Sequence, residues 1–312
     1  MTFEQLRIFI AVAEREHLTR AAEALGLTPS AVSASIRALE QSYGVLLFER
    51  VGRGIELSEA GRLFLPEARA VLARAGTAES LLSDLGGLKR GRLALQASQT
   101  ISNHLLPPAM VRFRAAHPGI VLSLTVGNTE TVARAVAAGE AELGLVEGRI
   151  DTPLLVQEAI GEDRLIVVVA PGHPWAGARP AGAMRLAALA DGCWILRETG
   201  SGTRSTFAEA LVAVGRSIDQ LDVALELPSN EAVLAAVAAG PYAAAVSEAA
   251  ASAMIAAGRL VPVDCSLPPR AFTLLRHKER HLTAAALAFA ALVRANPPAP
   301  PPPQPRPGIR AA

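Results

Sequence analysis

LTRAAEALGLTPSAVSASIRAL, Leu18 to Leu39, reads as two short helices around a tight turn. Thr19 is placed to cap the first, Ala21, Ala22 and Leu25 recur at helical spacing, and Gly26 permits the break that follows. Thr28 caps the second helix, with Pro29 at its first position, where the missing N–H has no intrahelical partner to lose. Val32, Ile36 and Leu39 form its buried stripe, and Ser30, Ser33, Ala34 and Arg37 lie on the other faces. A helix that offers small polar groups near its N-terminus, braced across a second helix, suits insertion into a major groove. Two readings stay open here: a helix-turn-helix that reads DNA, and an ordinary helical hairpin.

Working outward, Phe3 to Glu14 is an amphipathic helix with Phe3, Leu6, Phe9, Ile10 and Ala13 on one side. After the helix pair, Tyr43-Gly44 closes a turn, and LLFERVGRGIELS, Leu46 to Ser58, reads as a small hairpin with Gly52 and Gly54 in its turn. Arg50 and Arg53 project from it, placed to meet a phosphate or enter a minor groove beside the reader helix. Ser58 then caps a long helix whose stripe includes Leu63, Leu65, Ala68, Val71, Leu72 and Ala75 and extends to Leu85. Such a helix has no core of its own, so pairing with its twin in a dimer is expected. Pro66 predicts a kink. Gly86-Gly87 ends the helix and Lys89-Arg90-Gly91 forms a linker.

From Gly91 onward the pattern alternates. Strands are expected at Arg92–Ala97, Val121–Val126, Leu143–Val146, Leu165–Ala170, Trp194–Leu196, Val223–Leu227, Ala243–Val246 and Phe272–Arg276. Helices are expected at Leu105–Ala116, Thr131–Ala138, Thr203–Val214, Ala232–Ala239 and Thr283–Arg294. This is a doubly wound α/β pattern, whose ligands bind at the carboxyl ends of strands. PPAPPPPQPRPG, from Pro297, is a proline-rich tail expected to be extended and disordered.

Composition excludes more than it selects. With 312 residues and 51% hydrophobic side chains, the chain can build two or three domains, but a net charge of +1 does not argue for nucleic acid. Between Met1 and Ile55, Arg7, Arg15, Arg20, Arg37, Arg50 and Arg53 are cancelled by Glu4, Glu14, Glu16, Glu23, Glu40 and Glu49. DNA binding therefore rests on where the arginines sit. Cys193 and Cys265 have no metal spacing and form no disulfide framework. MTFEQLR is no signal peptide, and Gly240-Pro241 and Glu248 interrupt the Ala-rich stretch, so a cytoplasmic chain without a membrane span is expected.

Polar groups recur at successive strand ends: Ser98 to Asn103, Gly127-Asn128-Thr129, Glu147-Gly148, RETGSGTR (Arg197 to Arg204) and Ser229-Asn230. Hydroxyls, amides and free N–H groups gathered at helix starts make an anion site. No Gly-x-Ser-x-Gly, His-Glu-x-x-His or Walker lysine is present, and the six histidines are scattered. The chain is expected not to be an enzyme, with no cofactor and no metal. A solute-binding protein or an enzyme on the same α/β fold is the rival class.

FERVGRGIELSEAG after the helix pair, together with LFER, ASQTISNHLLP, GNTE, LGLVEG, VVAPGHP, RETGSGTR and SNEAVLAAVAAG, resembles the LysR-type transcriptional regulators from about Thr2 to Ala295. ASQTISNHLLP with GNTE, VEG and LRETGSGTR is most similar to the branch responding to sulfur oxyanions such as sulfite. The resemblance implies a winged helix-turn-helix (residues 1–58), a linker and dimerisation helix (59–90) and a periplasmic-binding-protein-like effector domain (91–295). That domain would have one subdomain of 91–161 and 268–295, another of 162–267, and a tail of 296–312. DNA contacts are expected from Arg20, Thr28, Pro29, Ser30, Ser33 and Arg37 on the helix pair and from Arg50 and Arg53 on the wing. Effector contacts in the cleft are expected from Ser98, Thr100, Ser102, Asn128, Thr129, Glu147 and Thr203.

The implied function is a regulator whose promoter binding is modulated by a small anion, with an organic carboxylate as the alternative effector. Implied partners are double-stranded promoter DNA, the effector, a second copy in a dimer or tetramer, and RNA polymerase. Three departures from the family pattern stand out: Pro29 replaces a common Gln, Ala34 a longer polar or basic residue, and Gly240-Pro241-Tyr242 the usual Gly-x-Gly. Glu147 would repel an anion unless the ligand carries a proton, as bisulfite does, or the carboxyl is itself protonated; a structural role is the other reading.

Overall fold

Caps set the boundaries of the first helices. The structure, a computed structural model, describes residues 1–51, 54–85, 91–176 and 186–296. Helix α1 (Phe3–Arg15) opens on a capping box in which Gln5 N–H donates to the Thr2 hydroxyl and Thr2 N–H donates to Gln5 Oε1. Helix α2 (Leu18–Leu25) is capped by His17, whose Nδ1 accepts from Arg20 N at 3.4 Å, and not by Thr19. His17 holds the extended backbone a cap requires, whereas Thr19 already lies inside the helix. Gly26 ends α2 at φ 67°, a left-handed conformation that glycine adopts without strain. Helix α3 (Pro29–Tyr43) starts as expected, with Ala31 N donating to Thr28 Oγ1 at 3.2 Å and Pro29 at the first turn.

Strands β1 (Phe48–Val51) and β2 (Gly54–Leu57) pair antiparallel, Phe48 opposite Leu57. Ser58 caps α4 (Glu59–Leu85) by accepting from Gly61 N at 3.0 Å, and Pro66 lies inside that helix without ending it. Gly52 and Arg53 of the expected hairpin turn, Lys89 and Arg90 of the linker, and the proline-rich segment after Asn296 lie outside the described residues.

The chain divides into two compact units, Met1–Gly87 with Ala138–Ala141 and Leu88–Ala137 with Glu142–Ala312. The first is closed by Leu6, Phe9, Val12, Val32, Ile36 and Leu39, with the Phe9 ring 5.4 Å from that of Phe48 and 5.1 Å from that of Phe64. Phe3, expected on the buried side of α1, is exposed, and Ile8 and Ala11 are buried in the same core. Along α4, Ala68 is buried but Leu63 and Leu82 of the expected stripe are exposed.

In the second unit β3 (Gly91–Ser98) runs directly into α5 (Gln99–His104) and α6 (Leu106–Ala116). Then come β4 (Ile120–Gly127), α7 (Thr129–Ala138), β5 (Leu143–Glu147), the long β6 (Leu155–Val169), α8 (Leu186–Leu189) and β7 (Cys193–Arg197). Helix α9 (Gly202–Ala213), β8 (Asp222–Leu227), α10 (Asn230–Ala239), β9 (Ala243–Ser247) and α11 (Glu248–Ala256) follow, and β10 (Val261–Val263), β11 (Pro269–His277) and α12 (Ala284–Ala295) end the fold.

These strands form one sheet in the order β4-β3-β5-β11-β6-β9-β7-β8, with β10 on β6. The outer strands are parallel, as expected of a doubly wound pattern, but β11 and β6 cross the middle antiparallel to their neighbours. Leu93, Leu95, Phe113, Leu145 and Phe289 fill the core of the first half, and Leu165, Trp194, Leu196, Phe207 and Leu211 that of the second. Sequence reading missed the first half of β6, because Gly161 and charged residues interrupt its alternation, and also α5, α8, α11 and β10, all nine residues or fewer.

Phe9→Ala empties the centre of the first core and is expected to cost about 3–5 kcal/mol of that unit's stability. Two-probe denaturant unfolding should show the first unit's transition moving and the second unit's staying in place.

Candidate DNA interface and effector cleft

Helix α3 presents what its caps leave free. Thr28, Pro29 and Ser30 are exposed at the start of α3, with the Thr28 and Ser30 hydroxyls 3.0 Å apart. Arg37 is exposed one turn beyond the half-buried Ser33, and its Nε donates back to the Ser33 carbonyl at 3.3 Å. Arg20 and Arg50 are also exposed, and Arg53 lies outside the described residues. The buried stripe of Val32, Ile36 and Leu39 fixes the rotation of α3, so the hydroxyls and Arg37 point away from the core. Small hydroxyls and an arginine on one helix end are suited to hydrogen-bonding phosphates and base edges.

The second unit gathers its polar groups where strands end. Ser98, Thr100, Ser102, Thr129, Glu147 and Thr203 are all buried. Ser98 Oγ donates to Glu147 Oε2, and Thr129 Oγ1 donates to the Glu147 carbonyl at 2.6 Å. Glu147 Oε1 lies 3.7 Å from Arg270 Nη1, and Thr203 Oγ1 accepts from the same nitrogen at 3.0 Å. Ser98 and Thr129 therefore meet Glu147 directly, and Thr203 joins it through Arg270. Its carboxylate is already held by a hydroxyl and a guanidinium, which supports the structural reading of this residue.

Thr100 joins a different cluster. Its Oγ1 accepts from Asn230 Nδ2 at 3.2 Å, and Asn230 Oδ1 accepts from Arg197 Nη1 at 2.6 Å. Ser102 Oγ donates to the Gln99 carbonyl at 3.0 Å, within its own helix. Asn128 Nδ2 donates to Glu198 Oε1 at 3.3 Å, so it bridges the two halves of the sheet.

Five further residues were not among the expected contacts, although Gln99 and Arg197 lie in the polar segments quoted above. Gln99 spans the halves through Pro228 O at 2.8 Å and Asn230 N at 2.9 Å. Arg197 is buried and paired with Glu198 at 2.7 Å. Arg270 donates from Nε and Nη2 to Asp163 Oδ2 at 2.8 and 2.6 Å, and Ser247 Oγ donates to Asp163 Oδ1 at 2.8 Å. The available signal was a charge inside an apolar strand, Arg270 before AFTLL and Asp163 before RLIVVV. On β8, the Arg204 hydrogen bond holds the Glu226 carboxyl below its ordinary range, against the opposing effect of burial.

The arrangement has donors, acceptors and closing contacts. Among the described residues no His, Cys, Asp and Glu group could hold a metal, and none of the described helices is long and apolar enough to cross a membrane.

Residues 3–62 match the model of the bacterial regulatory helix-turn-helix proteins of the lysR family, and residues 86–297 match the LysR substrate binding domain. The chain belongs to the LysR family. It is a DNA-binding transcriptional regulator with an effector-binding domain, and not an enzyme. It is 35% identical over 291 residues to the uncharacterized HTH-type transcriptional regulator YeiE of Escherichia coli (strain K12), covering 93% of this chain and 96% of that one. It is 34% identical to the RuBisCO operon transcriptional regulator of Allochromatium vinosum, covering 94% and 95%. Among solved structures, full-length CbnR complexed with its target DNA gives a TM-score of 0.66 at 24% identity, covering 95% of this chain and 99% of that one. The Synechocystis PCC6803 CcmR regulatory domain in complex with 2-PG gives 0.60 at 26% identity, covering 66% and 97%.

Asp163→Ala leaves the Arg270 guanidinium buried without its two shortest contacts. Stability of this LysR regulator is expected to fall by about 3–5 kcal/mol, the usual result of stripping one partner from a buried pair. Denaturant unfolding checks this, and a loss below about 0.5 kcal/mol would match an ordinary surface change instead.

Proposed function

We propose that this regulator grips promoter DNA through residues 1–58 as a dimer or tetramer, paired along the 59–90 helix. The grip changes when a small anion, in the first instance a sulfur oxyanion such as sulfite, occupies the cleft of residues 91–295. In this reading the cleft lies between a subdomain of 91–161 with 268–295 and one of 162–267, hinged on β6 and β11. The observation that carries it is the concentration of buried hydroxyls at strand ends, Ser98, Thr100, Ser102 and Thr203, beside the N-termini of α7, α9 and α10. The Thr100 and Thr203 hydroxyls, which only accept in the bonds above, and helix N–H groups can stabilise an oxyanion without requiring a free cation. A protonated anion such as bisulfite can also donate to Glu147, removing the repulsion that a bare anion would meet.

On the DNA side, Arg20, Thr28, Pro29, Ser30, Ser33, Arg37, Arg50 and Arg53 form the contact set. Pro29 and Ala34 supply little direct base readout, so phosphate contacts and DNA shape carry more of the binding. The effector acts only through its different affinity for the two arrangements of the chain.

A second reading is an organic anion in the same cleft. It is favoured by the likeness to the CcmR regulatory domain, whose structure is a complex with 2-PG. A thermal-shift screen of sulfite, sulfate, thiosulfate and simple organic acids separates the two, because a ligand of the folded state raises its melting temperature.

Thr100→Val is expected to abolish the effector response while sparing promoter binding in a gel-shift titration; an intact response would move the site elsewhere. Arg50→Ala should weaken binding to all sequences and flatten the salt dependence by about one unit for each phosphate left without its arginine. An unchanged slope would remove Arg50 from the interface.

A further inference from the structure

A cavity of about 530 Å³ opens on the flank of the effector-binding unit and shares only Thr129 with the expected effector contacts. A close backbone approach separates it from Ser98, Thr100, Ser102 and Thr203. A methyl group added at Gly148 would lie 2.9 Å from Gly202 Cα, and one at Gly202 would collide with the Glu147 carbonyl. Glu130 N–H donates to the Gly200 carbonyl at 3.2 Å along the same seam.

The floor is apolar: Ala133 and Ala137 from α7, Ile150 from the loop after β5, Ala208 from α9, and Ile218. Three arginines also line the space, and they differ in what already holds them. Arg204 is tied to Glu226 and to the Arg197 carbonyl. Arg134 meets Glu130 at 3.7 Å, but both side chains are about two-thirds exposed (68% and 66%), where an ion pair contributes little. Arg149 is exposed and has no ion-pair partner among the described residues. The cavity therefore offers one uncommitted guanidinium, a weakly committed second one, and a floor of methyl groups.

We infer that this cavity is a second ligand site of the regulator, taking an organic monocarboxylate with an apolar body. The volume falls within the roughly 300–1,000 Å³ of organic-ligand pockets and is several times what an inorganic oxyanion fills. The carboxylate meets Arg149, with Arg134 alongside, and the hydrocarbon covers the alanine and isoleucine floor. Glu130 and Asp151 on the lining disfavour ligands of higher negative charge. Because α7 comes from one half of the sheet and α9 from the other, an occupant binds across both halves and favours the arrangement in which they touch.

The test is calorimetric titration of the full chain with benzoate and hexanoate, with acetate and inorganic phosphate as controls. Benzoate and hexanoate are expected to bind one per chain, equally well in the wild type and in the cleft variant Thr100→Val. Arg149→Ala should weaken that binding about tenfold or more, as expected when a charged hydrogen bond is removed, and Ala208→Leu should block it by filling the floor. If Ala208→Leu does not fold, Arg149→Ala, at an exposed position, decides alone. Three results would overturn the proposal: no binding at millimolar benzoate or hexanoate, binding abolished in Thr100→Val but kept in Arg149→Ala, or phosphate and acetate binding as well as benzoate. Only binding that Arg149→Ala weakens counts in each case, so an anion held in the cleft does not enter.

Discussion

The effector-binding unit depends on one buried guanidinium. Arg270 stands opposite Asp163 across β11 and β6, and diagonally across from Glu147 of β5, which faces Phe272 of β11. Burying an arginine is unfavourable unless its charge and donors are met. Here Asp163, Glu147 and Thr203 meet them, and Ser247 completes Asp163 from β9. The network thus crosses four neighbouring strands, β5, β11, β6 and β9, at the point where the two halves of the sheet join. Slipping β11 by one residue would turn Arg270 to the opposite face and leave Asp163 and Glu147 unpaired, so the charges specify the register.

The same network explains why site and scaffold are hard to separate. Glu147 takes a hydrogen bond from Ser98 at the end of β3, while its other oxygen faces Arg270. Any movement of the first strand's end is therefore felt at the crossing strands. Gln99, Asn128 and Asn230 then hold the halves together by direct hydrogen bonds from their amide groups. The bonds between neutral groups each add only about 0.5–1.5 kcal/mol net, and the one to the Glu198 carboxylate about 1.5–3 kcal/mol, a scale that one bound anion can match.

What was legible in the sequence was local. The α2–α3 pair could be read because Gly26, Thr28, Pro29 and the Val32, Ile36, Leu39 stripe lie close in the chain to the turn they build. Even there the cap passed from Thr19 to His17, since an imidazole nitrogen accepts as well as a hydroxyl when its backbone is extended. The serines and threonines at strand ends were legible because helix starts advertise them. Arg270 and Asp163 were not: they are 107 residues apart, and only the sheet topology makes them neighbours. The QTISNH segment shows no helical stripe because it is short and mostly polar, yet it forms α5 with Ile101 buried in the core.

A DNA-gripping unit and a unit whose halves are held by exchangeable hydrogen bonds form a switch only if a small anion acts on that seam. The direct measurement is hydrogen exchange of the full chain on promoter DNA, with and without sulfite or whichever small anion alters promoter binding. Slower exchange confined to residues 98–103, 128–131 and 199–204, with the amides of α12 unchanged, is the predicted result. An anion that alters promoter binding while leaving exchange in all three segments untouched would contradict the account.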